Sequence, residues 1–133
     1  MTDFPPLGHI AVTVQSCDAS TPWYAALFGS SPVLDEDTGP FRHVVWTLPG
    51  GSLIGIHEHH GKTDSQDTFS EYRIGLDHVG FHCGSRDDLK KWEAQLNQLG
   101  YAHGGIVDAH YGSGLSFRDP DGNALEFFAP PSG

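Results

Sequence analysis

Two histidines and a glutamate carry most of the chemistry this chain can offer. His9 opens Gly8-His9-Ile10-Ala11-Val12-Thr13-Val14, and His78 opens Asp77-His78-Val79-Gly80-Phe81-His82-Cys83, 69 residues later. Glu126 ends the run Asp119-Pro120-Asp121-Gly122-Asn123-Ala124-Leu125-Glu126. Neutral imidazoles and a carboxylate together suit a divalent transition metal, and three protein ligands leave positions open for water or substrate. A metal held in that way polarises substrate oxygens as a Lewis acid. A lone strand histidine is more often a core residue. Two at repeat-equivalent positions, with a carboxylate of matching parity, favour the metal reading.

The elements that must position these residues come in two copies. Trp23 and Trp92 keep the 69-residue separation, while Leu48-Pro49-Gly50-Gly51-Ser52 returns as Asp119-Pro120-Asp121-Gly122-Asn123 at 71. At that second offset Trp46 matches Phe117 and Gly55 matches Glu126. Such a repeat implies two copies of one supersecondary unit, neither of which buries its apolar face well alone. A pseudo-twofold axis between copies would bring the two histidines together. The first copy reads as a strand over 8–15, a helix started by Thr21-Pro22 and ended by Gly29, and strands over 32–36, 41–47 and 52–57. The second reads as a strand over 76–83, a helix capped by Ser85 and ended by Gly100, and strands over 102–107, 114–118 and 124–128. The expected fold is α+β: one domain of two βαβββ modules, about 7–58 and 76–129, joined by a polar linker at 59–75.

Strand parity then sorts the side chains. Ile10, Val12 and Val14, Ile54 and Ile56, Val79 and Phe81, and Leu125 and Phe127 belong under the helices. His9, His57, His78, His82, Glu126 and Phe128 fall on the opposite faces, where two sheets could curl into a cavity. The cluster His57-Glu58-His59-His60 reads as adventitious, because its alternate residues diverge where a strand runs into a loop. His110-Tyr111-Gly112-Ser113-Gly114 reads as a hairpin or a substrate-contacting loop. His43 and His103 carry no signal.

Composition narrows the function classes. With 38% hydrophobic and 11% aromatic residues, 133 residues are enough for a real core. Seventeen acidic against seven basic residues give a net charge of −10, which argues against nucleic acid and anionic membrane surfaces as partners. No apolar run approaches the roughly 20 residues that span a bilayer. The first residues show no basic and apolar leader pattern, and Cys17 and Cys83 suggest no disulfide framework. A cytoplasmic protein is expected.

The paired modules, the strand-opening histidines and the Asp119-Pro120-Asp121-Gly122-Asn123-Ala124-Leu125-Glu126-Phe127 ending resemble the vicinal oxygen chelate superfamily over about residues 7–129. That group includes glyoxalase I, extradiol dioxygenases, fosfomycin-modifying enzymes, methylmalonyl-CoA epimerase and bleomycin-resistance proteins. The resemblance implies a U-shaped, incompletely closed mixed sheet around a metal-binding cavity. It implies His9, His78 and Glu126 as ligands to one divalent metal per site, Fe2+, Mn2+, Zn2+ or Ni2+. In glyoxalase I the fourth strand supplies a glutamate or glutamine that is both ligand and proton carrier; the repeat assigns that place to Gly55, which can be neither.

His57, two residues on, is then a displaced ligand, a general base or part of the cavity wall. His57 and Glu126 are the catalytic candidates, and His82 and Phe128 the candidate substrate contacts. The implied activity is that of a metal-dependent lyase, isomerase or dioxygenase acting on a small molecule with neighbouring oxygens, in a homodimer. The alternative from another class is a metal-free binding protein that sequesters a cationic antibiotic, as bleomycin-resistance proteins do; the −10 charge and Phe128 and Trp46, read as cavity aromatics, suit it.

Overall fold

A computed structural model describes residues 2–132 of the chain, which divides into two compact units, one up to Asp67 and one from Thr68 onward. The first unit contains β1 (His9–Thr13), α1 (Cys17–Phe28), β2 (Leu34–Asp37), β3 (Phe41–Thr47) and β4 (Leu53–His59). The second contains β5 (Val79–His82), α2 (Arg86–Leu99), β6 (His103–Ala109), β7 (Gly112–Arg118) and β8 (Ala124–Ala129). Each unit is thus βαβββ. Its four strands form one mixed sheet, in the order β1-β4-β3-β2 in the first and β5-β8-β7-β6 in the second. The first and last strands run parallel and the other pairs antiparallel.

The register repeats with the topology. Ala11 pairs with Gly55 and Gly80 with Glu126, so Gly55 and Glu126 hold equivalent places, as the 71-residue offset predicts. In the first unit Val44, Trp46, Ile54 and Ile56 are buried with Tyr24 and Leu27 of the helix. Trp46 is therefore not a cavity aromatic. It packs against Tyr24 and Phe28, and its indole N–H donates to the Ser30 carbonyl at 3.2 Å. In the second unit Leu89 and Leu96 of α2 are buried with Leu115, Phe117, Leu125 and Phe127, and Trp92 stacks on Phe127 at 4.4 Å.

Helix α1 begins five residues before Pro22, which lies inside it. Ser16 caps it by accepting from the Ala19 N–H at 3.2 Å, and the Glu58 carboxylate accepts from the Cys17 N–H at 2.7 Å. A carboxylate at a helix N-terminus satisfies an orphan donor and complements the dipole. The helix thus starts upstream of Pro22, whose missing N–H costs one helical hydrogen bond. Helix α2 starts and stops where expected, with Ser85 accepting from the Asp88 N–H and Gly100 left-handed at its end.

Strand β4 extends to His59, into the expected linker. The remaining linker is divided between the units. Gln15 Nε2 donates to the carbonyls of Asp64 and Asp67, while the Phe69 N–H donates to the Asp121 carbonyl and Arg118 pairs with Glu71. Among the described residues no helix is long and apolar enough to cross a membrane; the longer, α2, has 14 residues.

Candidate functional site

Both sheets have one face covered by a helix and one face without it, and the polar side chains singled out by parity lie on the second. On the first unit, β1 sets His9 beside Leu53 and Thr13 beside His57. His57 therefore stands four residues beyond the register partner of His9, about 13 Å along the strands. Its neighbour across β3 is His43, paired with it directly. Phe41 stacks on the His57 ring at 5.1 Å with 15° between planes, and His43 meets His57 edge-on at 5.3 Å.

His59 completes this group at 5.9 Å from both Phe41 and His57. Because β4 continues through His59, the alternate residues His57 and His59 share a face instead of diverging. Glu58 points the other way to cap α1, and its second oxygen lies 3.2 Å from His60 Nδ1. His60 Nε2 in turn lies 3.0 Å from Asp37. Burial holds the His57 imidazolium below the ordinary histidine range, and the like charges of His43 and His59 add to the effect. His43 is the residue that the sequence reading missed. Its signal was there: Phe41, His43 and Val45 alternate with the buried Val44 and Trp46.

On the second unit, His78 lies just before β5, with Gly80 and His82 on its face. Gly80 pairs with Glu126, and His82 with Phe128. The Glu126 carboxylate lies over Gly114, where a Cβ would come within 3.2 Å of Oε2, and the Ser116 hydroxyl donates to it at 3.4 Å. A Cβ at Gly80 would meet nothing within 4 Å, so the other flank of the carboxylate is open. His78 Nδ1 lies 2.7 Å from the Asp77 carboxylate. That pairing favours the tautomer with the proton on Nδ1 and presents the Nε2 lone pair, the usual arrangement of a metal-ligating imidazole. Phe128 is stacked under Tyr111 at 6.5 Å, with 14° between planes, and His110 packs edge-on to Tyr111.

These features fit a divalent cation in donor chemistry: an oriented imidazole, and a carboxylate over a glycine cradle, within one unit. Among the described residues, neither unit by itself gathers three His, Cys, Asp or Glu side chains around a point that could hold a metal. The two cysteines offer no alternative ligands, since both are buried and free, and burial with the adjacent Glu58 charge pushes the Cys17 thiol up to about 11.

The comparisons with known proteins agree with the fold. The chain is 29% identical over 143 residues to biphenyl-2,3-diol 1,2-dioxygenase 3 from Rhodococcus globerulus, covering 98% of this chain and 68% of that one. It resembles the crystal structure of a glyoxylase/bleomycin resistance protein/dioxygenase domain from Frankia sp. EAN1pec, at 31% identity and a TM-score of 0.87, covering 98% and 96% of the two chains. A fosfomycin resistance protein from Listeria monocytogenes, solved with Mn(II) and 1S,2S-dihydroxypropylphosphonic acid, shares the fold at a TM-score of 0.71 and 18% identity, covering 97% and 93%. The model of the Glyoxalase/Bleomycin resistance protein/Dioxygenase superfamily matches residues 7–127, and to that superfamily the chain belongs.

Proposed function

We propose that this protein is a divalent-metal-dependent enzyme acting on a small molecule that presents neighbouring oxygens, with His9, His78 and Glu126 as the metal ligands. The observation that carries the reading is the state of the second-unit donors: His78 oriented through Nδ1 by Asp77, and Glu126 set between Gly80 and Gly114. A bound divalent cation would supply Lewis acidity toward the substrate oxygens. The chain's own residues do the rest. Phe128 and His82 bind the substrate beyond the ligands on the second unit. His57, kept neutral at neutral pH, accepts the substrate proton as general base. The distance of about 13 Å along the strands between the His9 and His57 positions supports action on substrate over direct ligation. The names of the relatives supply the first compounds to try, biphenyl-2,3-diol and fosfomycin. We further propose a homodimer.

The test uses untagged full-length protein equilibrated with Fe2+, Mn2+, Zn2+ or Ni2+, with metal measured by elemental analysis and turnover measured on both compounds. About one equivalent per chain is expected, falling sharply in His78→Ala with the circular dichroism unchanged. His57→Gln should keep its metal and lose turnover. A full equivalent retained in His78→Ala sinks the ligand assignment. The net charge of −10 favours one rival, capture of a cationic antibiotic without metal; metal-stripped protein that binds bleomycin tightly, with no turnover when reloaded, would establish it.

A further inference from the structure

The histidine group on the first unit is more than the single base that the proposed reading uses. His43 and His57 are direct register partners on β3 and β4, the positions where cross-strand side chains come closest. Phe41 holds both rings, stacked on His57 and edge-on to His43 at 5.3 Å. The His57 ring is thus pinned on one face by an aromatic plane and at its edge by a second imidazole. His43 is itself anchored, with Nε2 at 3.6 Å from the Glu36 carboxylate of β2 and its side chain only 21% exposed.

We propose that His43 is a positioning residue that acts through His57, so that the two imidazoles handle a proton as one coupled unit. The inference rests on the reading of His57 as the general base. Two imidazoles 5.3 Å apart resist carrying two positive charges, so the charge on one depends on the other. The titratable groups of this unit that bear on His57 are His43 from β3, His59 from β4 itself and, through His43, Glu36 from β2; Thr13, its neighbour on β1, does not titrate in this range. Burial and the charges of His43 and His59 act in the same direction, against the imidazolium of His57.

The full chain, kept free of metal with chelator, is titrated by NMR while the imidazole Cε1–H signal of His57 is followed, assigned by its loss in His57→Gln. Three replacements separate charge from shape. His43→Gln and His43→Phe both remove the neighbouring charge, the second keeping an aromatic edge, and each should move the His57 midpoint up. His43→Lys fixes a positive charge there and should move it down. A midpoint that stays put, or that moves the same way in the lysine and glutamine variants, overturns the proposal. If the lysine variant does not fold, the remaining two must both raise the midpoint for the proposal to stand. In metal-loaded protein with a substrate found as above, the acidic limb of kcat should follow the same signs. Midpoints that move while that limb stays still would confirm the coupling of the rings and overturn His57 as the base. Metal content in His78→Ala reports the ligand assignment separately from either result.

Discussion

Removing the Asp119 side chain should destabilise the second unit strongly, and the structure gives the size. Asp119 is 5% exposed and sits at the mouth of the β7–β8 turn. One carboxylate oxygen accepts from the backbone N–H groups of Asp121 at 3.0 Å and Asn123 at 2.8 Å. The other accepts from Asn123 Nδ2 at 2.9 Å. Around it, the Asp119 N–H donates to the Asn123 carbonyl and the Gly122 N–H to the Asp119 carbonyl, and Gly122 adopts φ +82°, a conformation that favours glycine. Asp119→Ala loses three hydrogen bonds and strands a backbone donor and an amide on Asn123, itself buried. At about 1 kcal/mol net per bond, with a further penalty for the stranded donors, the loss is about 3–4 kcal/mol. Asp119→Asn can still accept both backbone N–H groups but opposes one amide N–H with another, so its loss is about 1–2 kcal/mol. Urea unfolding followed by circular dichroism measures both. An alanine variant within 1 kcal/mol of wild type, or an asparagine variant as unstable as the alanine one, would refute the view that this carboxylate organises the turn into β8.

Three further outcomes test the second unit. Gly112 has φ +142°, and a Cβ there would lie 2.4 Å from Phe128 Cζ and 2.5 Å from the Ala129 carbonyl oxygen; Gly112→Ala should cost about 2–4 kcal/mol in urea unfolding. Gly114→Ala, whose Cβ has the movable Glu126 carboxylate as its nearest neighbour at 3.2 Å, should keep its stability and lose metal affinity on elemental analysis. The Arg86 guanidinium and the Ser113 hydroxyl hold the Asp108 carboxyl down to about 2 from 3.8. A depressed carboxyl stabilises the fold above its unfolded value, and that contribution is lost as pH falls through the folded value. Wild type should therefore lose its stability advantage over Arg86→Gln between roughly pH 4 and pH 2, as read by thermal melts across that range.

Much of this architecture is legible in the sequence because two periodicities agree there. The alternation that puts Ile54 and Ile56 under a helix also puts His57 opposite, and the 71-residue offset aligns Gly55 with Glu126 as the register does. What escaped depends on partners distant in sequence. Thr21-Pro22 has the local chemistry of a helix start, but Glu58, 41 residues beyond Cys17, supplies a cap that local reading cannot see. Trp46 suits a cavity by its side chain alone, but its parity with the buried Val44 places it under α1. His43 looked silent because its meaning lies in its register partner, His57, and register across a β3–β4 connection is set by packing on the covered face.

The two units differ in kind on the faces without a helix. Their helix-covered faces do the same work with interchangeable apolar residues, Trp46 against Ile54 in one and Phe117 against Leu125 in the other. On the opposite faces the register-equivalent pairs differ in kind: His43 and His57 in the first unit correspond to Gly114 and Phe128 in the second. Close packing restricts change on a covered face to volume-conserving swaps, whereas a face without a helix tolerates removal of side chains altogether. In the second unit Gly80 and Gly114 flank a carboxylate, Glu126. The first has a glycine, Gly55, at the place equivalent to Glu126 and groups imidazoles around Phe41 two residues further along. The proposed roles of Glu126 and of the His43–His57 pair thus fall at different strand positions on different copies of one unit, and can be removed one at a time.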